Sequence, residues 1–179
     1  SEEASPIIRD NTIISNTADS HGGGVLVNQG GATLSGGQIL SNTPTHGGGV
    51  FVNSSGAAFT QTAGSVVAYN AVTGTDASGG GVYVSSGRFA LSGGRVAENS
   101  AHYYGGGVYL GISSARFDLL VGQIVSNTAS VVGGGLYVGS GGAVLAGGEV
   151  VSNVAQANGG GAFIASSAAF LTQTGVCTI

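Results

Sequence analysis

The chain has 179 residues, the length of one domain. Only 7% of it is charged and the net charge is −4 at pH 7, all positive side chains being arginine, so the basic clusters that grip nucleic acid are excluded. It has no run of about 18 apolar residues to span a membrane as a helix, and its single cysteine, Cys177, excludes an internal disulfide framework.

In chain order, residues 1–5 (SEEAS) read as a tail. The segment PIIRDN (6–11) aligns with the later FALSGG (89–94), and Asn11 is expected to replace a glycine in the left-handed conformation. Next come IISN (13–16) and HGGGVLV (21–27), and the same parts then recur to the end of the chain. Glycine triplets start at 22, 47, 79, 105, 133 and 159, spaced 25, 32, 26, 28 and 26 residues apart, each followed by an alternating apolar stretch. A second motif runs ATLSGGQI (32–39), FALSGGRV (89–96), FDLLVGQI (117–124) and AVLAGGEV (143–150). The third is a branched residue three positions before an asparagine, which places Asn16, Asn42, Asn70, Asn99, Asn127 and Asn153 in one column.

Period-two alternation bounded by Gly and Asn reads as strand, and the glycine content excludes helix. Three short strands in a unit of this size cannot bury an apolar face alone, whereas stacked copies can. The expected fold is all-β: a single-stranded parallel β-helix over residues 6–179, with about six coils and no caps. Its strands would lie in register about 4.8 Å apart. The triplets are read as tight corners against the neighbouring coil. The asparagines are read as a second corner that tolerates left-handed backbone and stacks its amides into a buried ladder.

The glycine-plus-strand and [IV]-x-x-N motifs resemble the short repeats of polymorphic outer-membrane proteins and adhesin-like surface proteins. From about Ile8 to Ile179 the resemblance implies a right-handed, pectin-lyase-like β-helix at the cell surface. The third glycine departs from that family's alanine, and Ile, Val or Ala usually replaces its phenylalanine. Enzymes of the implied fold are polysaccharide lyases or hydrolases, with clustered aspartates and calcium or paired carboxylates. Here Glu98, Glu149, Asp19 and Asp76 are scattered, so no catalytic site, metal or cofactor is expected.

His21 and His46 stack in phase before successive triplets, but no carboxylate shares their column, so a plain surface column is preferred to a metal site. Cys177 aligns with Ile13, Ile39, Val96, Ile124 and Val150 as a buried apolar residue. Asn53-Ser54-Ser55 is a glycosylation tripeptide of a kind common by chance in such a sequence. Leu26, Phe51, Tyr83, Tyr109, Tyr137 and Phe163 form an outward column, either a stiffening ladder within the sheet or an exposed stripe for neighbouring filaments or surface glycans. Phe59, Phe89, Phe117 and Phe170 are assigned to the core.

Both ends consist of ordinary strands, so one copy is expected to stack on the next as a secreted, extracellular filament. The partner is the chain itself, through Ile7, Ile8, Asn11, Ile13 and Asn16 below and Phe163, Phe170, Thr172, Val176 and Cys177 above. An excised segment of a larger surface adhesin is the alternative.

Overall fold

Strands of two to ten residues between glycine corners can bury their inner faces only against copies of themselves. The computed structural model, which describes residues 5–179, is an all-β parallel solenoid. Its 21 strands form three stacked sheets of eleven, six and four strands, and every strand pair is parallel. The six-stranded sheet shows the regularity best. Val25–Val27, Val50–Val52, Val82–Val84, Val108–Leu110, Leu136–Val138 and Ala162–Ile164 pair residue for residue. Of the expected tail, residues 1–4 lie outside the described residues.

The core consists of columns running along the solenoid axis. Ile39, Val67, Val96, Ile124 and Val150 form one, and Leu34, Leu91, Leu119 and Leu145 another, all essentially inaccessible. Phe59, Phe89 and Phe117 stack inside with ring centroids 5.8 and 5.2 Å apart. Gln61 interrupts the leucine column. Its Nε2 donates to the Arg95 and Ser65 carbonyls, at 2.9 and 3.3 Å, where the coil holds one extra residue. Its Oε1 has no partner.

The last coil repeats that lengthened pattern and shifts two expected positions. Leu171, not Phe170, pairs with Ala143 in the phenylalanine column, while Phe170 pairs with Gly142 and is 43% exposed. The Phe170 ring lies over the space that a Gly142 side chain would fill, with the Arg116 guanidinium 5.5 Å from its centroid. Cys177 likewise falls outside the Ile13–Val150 column. Thr178 bridges to Glu149, which puts Ile179 in that column and leaves Cys177 partly buried at its side. The signal is the repeated Thr-Gln-Thr at 60–62 and 172–174. Gln173 Nε2 donates to the Gly175 and Cys177 carbonyls, much as Gln61 serves its own loop.

The asparagine column is a continuous ladder. Each Nδ2 donates to the next coil's Oδ1 at 2.9–3.0 Å, from Asn16 through Asn153. The same Oδ1 accepts the preceding asparagine's backbone N–H, and from Asn42 onward each Nδ2 also donates to a carbonyl one coil below. The interior amides are thus fully satisfied out of water. The left-handed residue, however, is the one before each asparagine: Ser15, Ser41, Tyr69, Glu98, Ser126 and Ser152 have φ of 53–57°. Near the start of the chain, Asp10 and not Asn11 is left-handed, with φ 53°. Asn11 instead donates through Nδ2 to the Arg9 carbonyl.

Two outcomes are expected. Asn99→Ala removes the Oδ1 that accepts from the Asn70 backbone and side-chain amides and the Nδ2 that donates to Asn127 Oδ1 and the Val67 carbonyl, so equilibrium unfolding should show a loss of about 3 kcal/mol or more. Ser126→Val should cost about 1–2 kcal/mol because a β-branched residue resists the left-handed region, while Ser126→Gly should not destabilise. Equal stability of the two serine variants would contradict the backbone assignment.

Candidate functional site

The corner beside the asparagine ladder explains why three consecutive glycines recur. The first glycine of each triplet is left-handed, with φ of 60–70°. At the second, a Cβ on Gly106 would lie 2.4 Å from the Thr128 carbonyl oxygen and 2.6 Å from that of Gly134. At the third, a Cβ on Gly107 would meet the Gly135 oxygen at 2.6 Å, with Ile124 and the Asn127 amide at 2.9 and 3.0 Å. The triplet therefore turns the chain, admits the next coil and leaves room for the asparagine.

The turn delivers each chain segment to the outward aromatic column. Centroid separations are 4.9 Å for Phe51–Tyr83, 4.5 Å for Tyr83–Tyr109, 5.0 Å for Tyr109–Tyr137 and 5.8 Å for Tyr137–Phe163. Tyr109 and Tyr137 are within 3° of parallel, and Tyr104 stacks on Tyr137 at 4.8 Å. The expectation of a uniformly exposed stripe is corrected. Phe51 is buried at 4% exposure beneath His21, whose ring lies 4.4 Å away, and the tyrosines are half-buried. Only Leu26, at the first coil, is exposed. Ring faces are turned to one another, so the column presents edges to solvent. Burial raises the phenol pKa of Tyr83, Tyr109 and Tyr137, which keeps the stack neutral at physiological pH.

His21 and His46 stack at 5.3 Å and 27°, joined by a backbone bridge. The Ser20 hydroxyl contacts His21 Nδ1. Burial and the neighbouring His46 lower the His21 pKa. Among the described residues no three His, Cys, Asp or Glu side chains gather into a metal-binding group. The polar surface is engaged piecemeal. Arg88 pairs with Asp118 at 2.6 Å, Gln123 donates to Glu149 at 2.7 Å, and the Tyr69 hydroxyl donates to Glu98 at 2.9 Å. A shallow open groove of about 300 Å³ is lined by Gly64, Ser65, Val66, Gly94, Arg95 and Gln123, without a carboxylate. The Cys177 thiol pKa is raised by burial and by Glu149, away from the reactive thiolate form.

The two end faces divide the residues proposed for self-contact. Ile8, Ile13 and Asn16 sit at the open end of inward or ladder columns, and Phe163 ends the aromatic column. Ile7 and Thr172 share an outward column with Thr33, Asp118 and Val144, so they face sideways and do not line the ends. Asn11 lies on the outer surface, and Val176 lies in a loop at 93% exposure. Residues missed by the motif alignment complete the upper face: Ile164, Leu171 and Ile179 continue core columns, with Ile164 and Ile179 41% and 57% exposed. At the lower face Val25 joins Ile8 and Ile13. Correct register of the last coil would have found Leu171 and Ile179.

No family model matches the chain, and no significant match occurs among curated proteins or solved structures. The resemblance to surface-protein repeats therefore rests on the motifs alone.

Close stacking at the triplet gives a direct test. Gly106→Ala should abolish folding or cost several kcal/mol, because backbone on both sides prevents relaxation. Gly56→Ala, where nothing lies within 4 Å of the new methyl group, should leave the melting temperature nearly unchanged.

Proposed function

We propose that this protein is a non-enzymatic structural rod of the cell surface or extracellular space, lengthened by stacking copies head to tail. The polarity of the asparagine ladder carries the reading. Each Oδ1 in the ladder accepts from the lower-numbered coil, and each Nδ2 gives one of its hydrogens to the Oδ1 of the higher one. Among the described residues, the Asn16 Oδ1 is left as an open acceptor, while Asn153 keeps a backbone N–H and an Nδ2 hydrogen to donate. One end is thus complementary to the other.

The apolar columns agree with this polarity. Ile13 and Val25 below continue the columns that end in Ile179 and Ala162 above, whereas Ile8 stands in the column that ends in Gln173 and Pro6 in the one that ends in Leu171. Residues 150–179 contain no Asp, Glu, Lys, Arg or Pro, so the outermost described coil lacks the devices that normally blunt an open edge. A contact between unlike faces does not close on itself and extends into a fibre. Poverty in charge and abundance of small polar residues support a location outside the cell.

The second reading is a stem segment within a larger surface adhesin, favoured by the surface-repeat motifs. There, further coils of one chain would occupy these same faces.

Electron microscopy of the purified 179-residue chain in neutral buffer separates the two. Uniform thin fibres are expected from self-stacking, and dispersed short rods would favour the stem. Ile164→Glu should stop elongation while circular dichroism remains strand-like, because the charge would lie in the apolar joint. Fibres of normal length from that variant would place the joint elsewhere.

A further inference from the structure

The lower face carries a histidine, His21, exposed at its rim. His21 bridges His46 in the next coil, and Val132 bridges Asn158 at the equivalent corner near the upper end. Continuing the observed register across a joint sets Asn158 of one copy against His21 of the next, and Phe163 against Leu26. His21 is exposed at the open end and would lose water on that side when a copy docks. The side already covered holds no charge to balance a proton. His46 stacks on the ring at 5.3 Å, and Phe51 and then Tyr83 continue the stack. The acidic groups of the surrounding corners are Asp19, two residues before His21, and Asp76, two residues before the matching Ser78. Neither approaches an imidazole closely enough to form an ion pair. The docking coil, residues 150–179, supplies no charged side chain.

We propose that His21, backed by His46, makes head-to-tail joining of this chain acid-sensitive, so that the joint accepts only the neutral His21 ring and acid releases the copies. The proposal rests on the self-stacking reading above. An imidazolium confined between a coil without charged side chains and a second imidazole loses hydration and gains no side-chain counter-charge. The depressed His21 pKa already shows that burial and His46 oppose the charge before docking. The sign follows from proton linkage. Free rods bind more protons at His21 than joined rods, so joining is fully favoured above the His21 pKa of the free rod, which lies below the ordinary histidine value, and weakens as pH falls through it.

The test is the critical concentration for fibre formation, measured by sedimentation between about pH 7.5 and pH 5. The wild-type value should rise as pH falls, approaching about tenfold per pH unit where His21 is protonated in free rods and neutral in joined ones. His21→Gln should form fibres with a flat profile over this range, and His102→Gln, altered at an exposed corner elsewhere, should behave as wild type. Proton uptake measured during acid disassembly should approach one per joint. Fibres at neutral pH with an unchanged wild-type critical concentration in acid would overturn the acid-sensitive joint and leave self-stacking standing. A pH-dependent profile in His21→Gln would likewise overturn it. Absence of fibres even at neutral pH would remove the self-stacking reading, and the acid-sensitive joint with it.

Discussion

Each coil must bring its backbone N–H and C=O groups against the next at the spacing of a β-sheet, about 4.8 Å. Every side-chain column therefore has to stack on itself. Glycine triplets meet this demand at the tightest corner, where the Gly106 and Gly107 positions have no space for a methyl group. Asparagine meets it at the adjoining corner because its amide offers a donor on one side and an acceptor on the other. Valine, leucine and isoleucine meet it inside, and tyrosine meets it outside through ring stacking.

The same constraint accounts for the scarcity of charge. A repeated Lys or Glu would place like charges in direct opposition, which is destabilising. Where Arg88 and Arg116 do stand opposite one another, Arg88 turns to Asp118 and the Arg116 guanidinium lies over Phe170. The aromatic column illustrates a further consequence. Rings that stack along the axis use their faces on each other, leaving edges for any neighbour. The column stiffens the sheet more directly than it offers a platform for sugars.

A ladder built from identical steps contains no internal signal to stop. The hydrogen bonds of Asn99 to Asn127 differ little from those of Asn70 to Asn99. Its direction gives the rod chemically distinct ends, and the apolar columns emerge at both. Growth in one dimension is the use we propose for such a stack, with the stacked histidine pair lying at one of its ends.

The sequence by itself determined the solenoid, its parallel register, the glycine corners and the asparagine column, because these depend on residue types recurring at a near-constant spacing. It did not determine which residue at the asparagine corner is left-handed, since Ser15, Tyr69 and Glu98 have no shared side-chain chemistry and adopt that backbone only because the ladder fixes the next residue. It also misplaced Phe170 and Cys177, because an extra residue in the last coil shifts the alignment and an aromatic matched another by type. Tertiary structure decided those positions through pairing: Leu171 fits the core column, and Phe170 covers the gap at Gly142. Burial of Phe51 likewise depended on His21 folding across it from a separate motif. Local patterns specify what repeats, whereas contacts between coils decide where each irregular residue comes to rest.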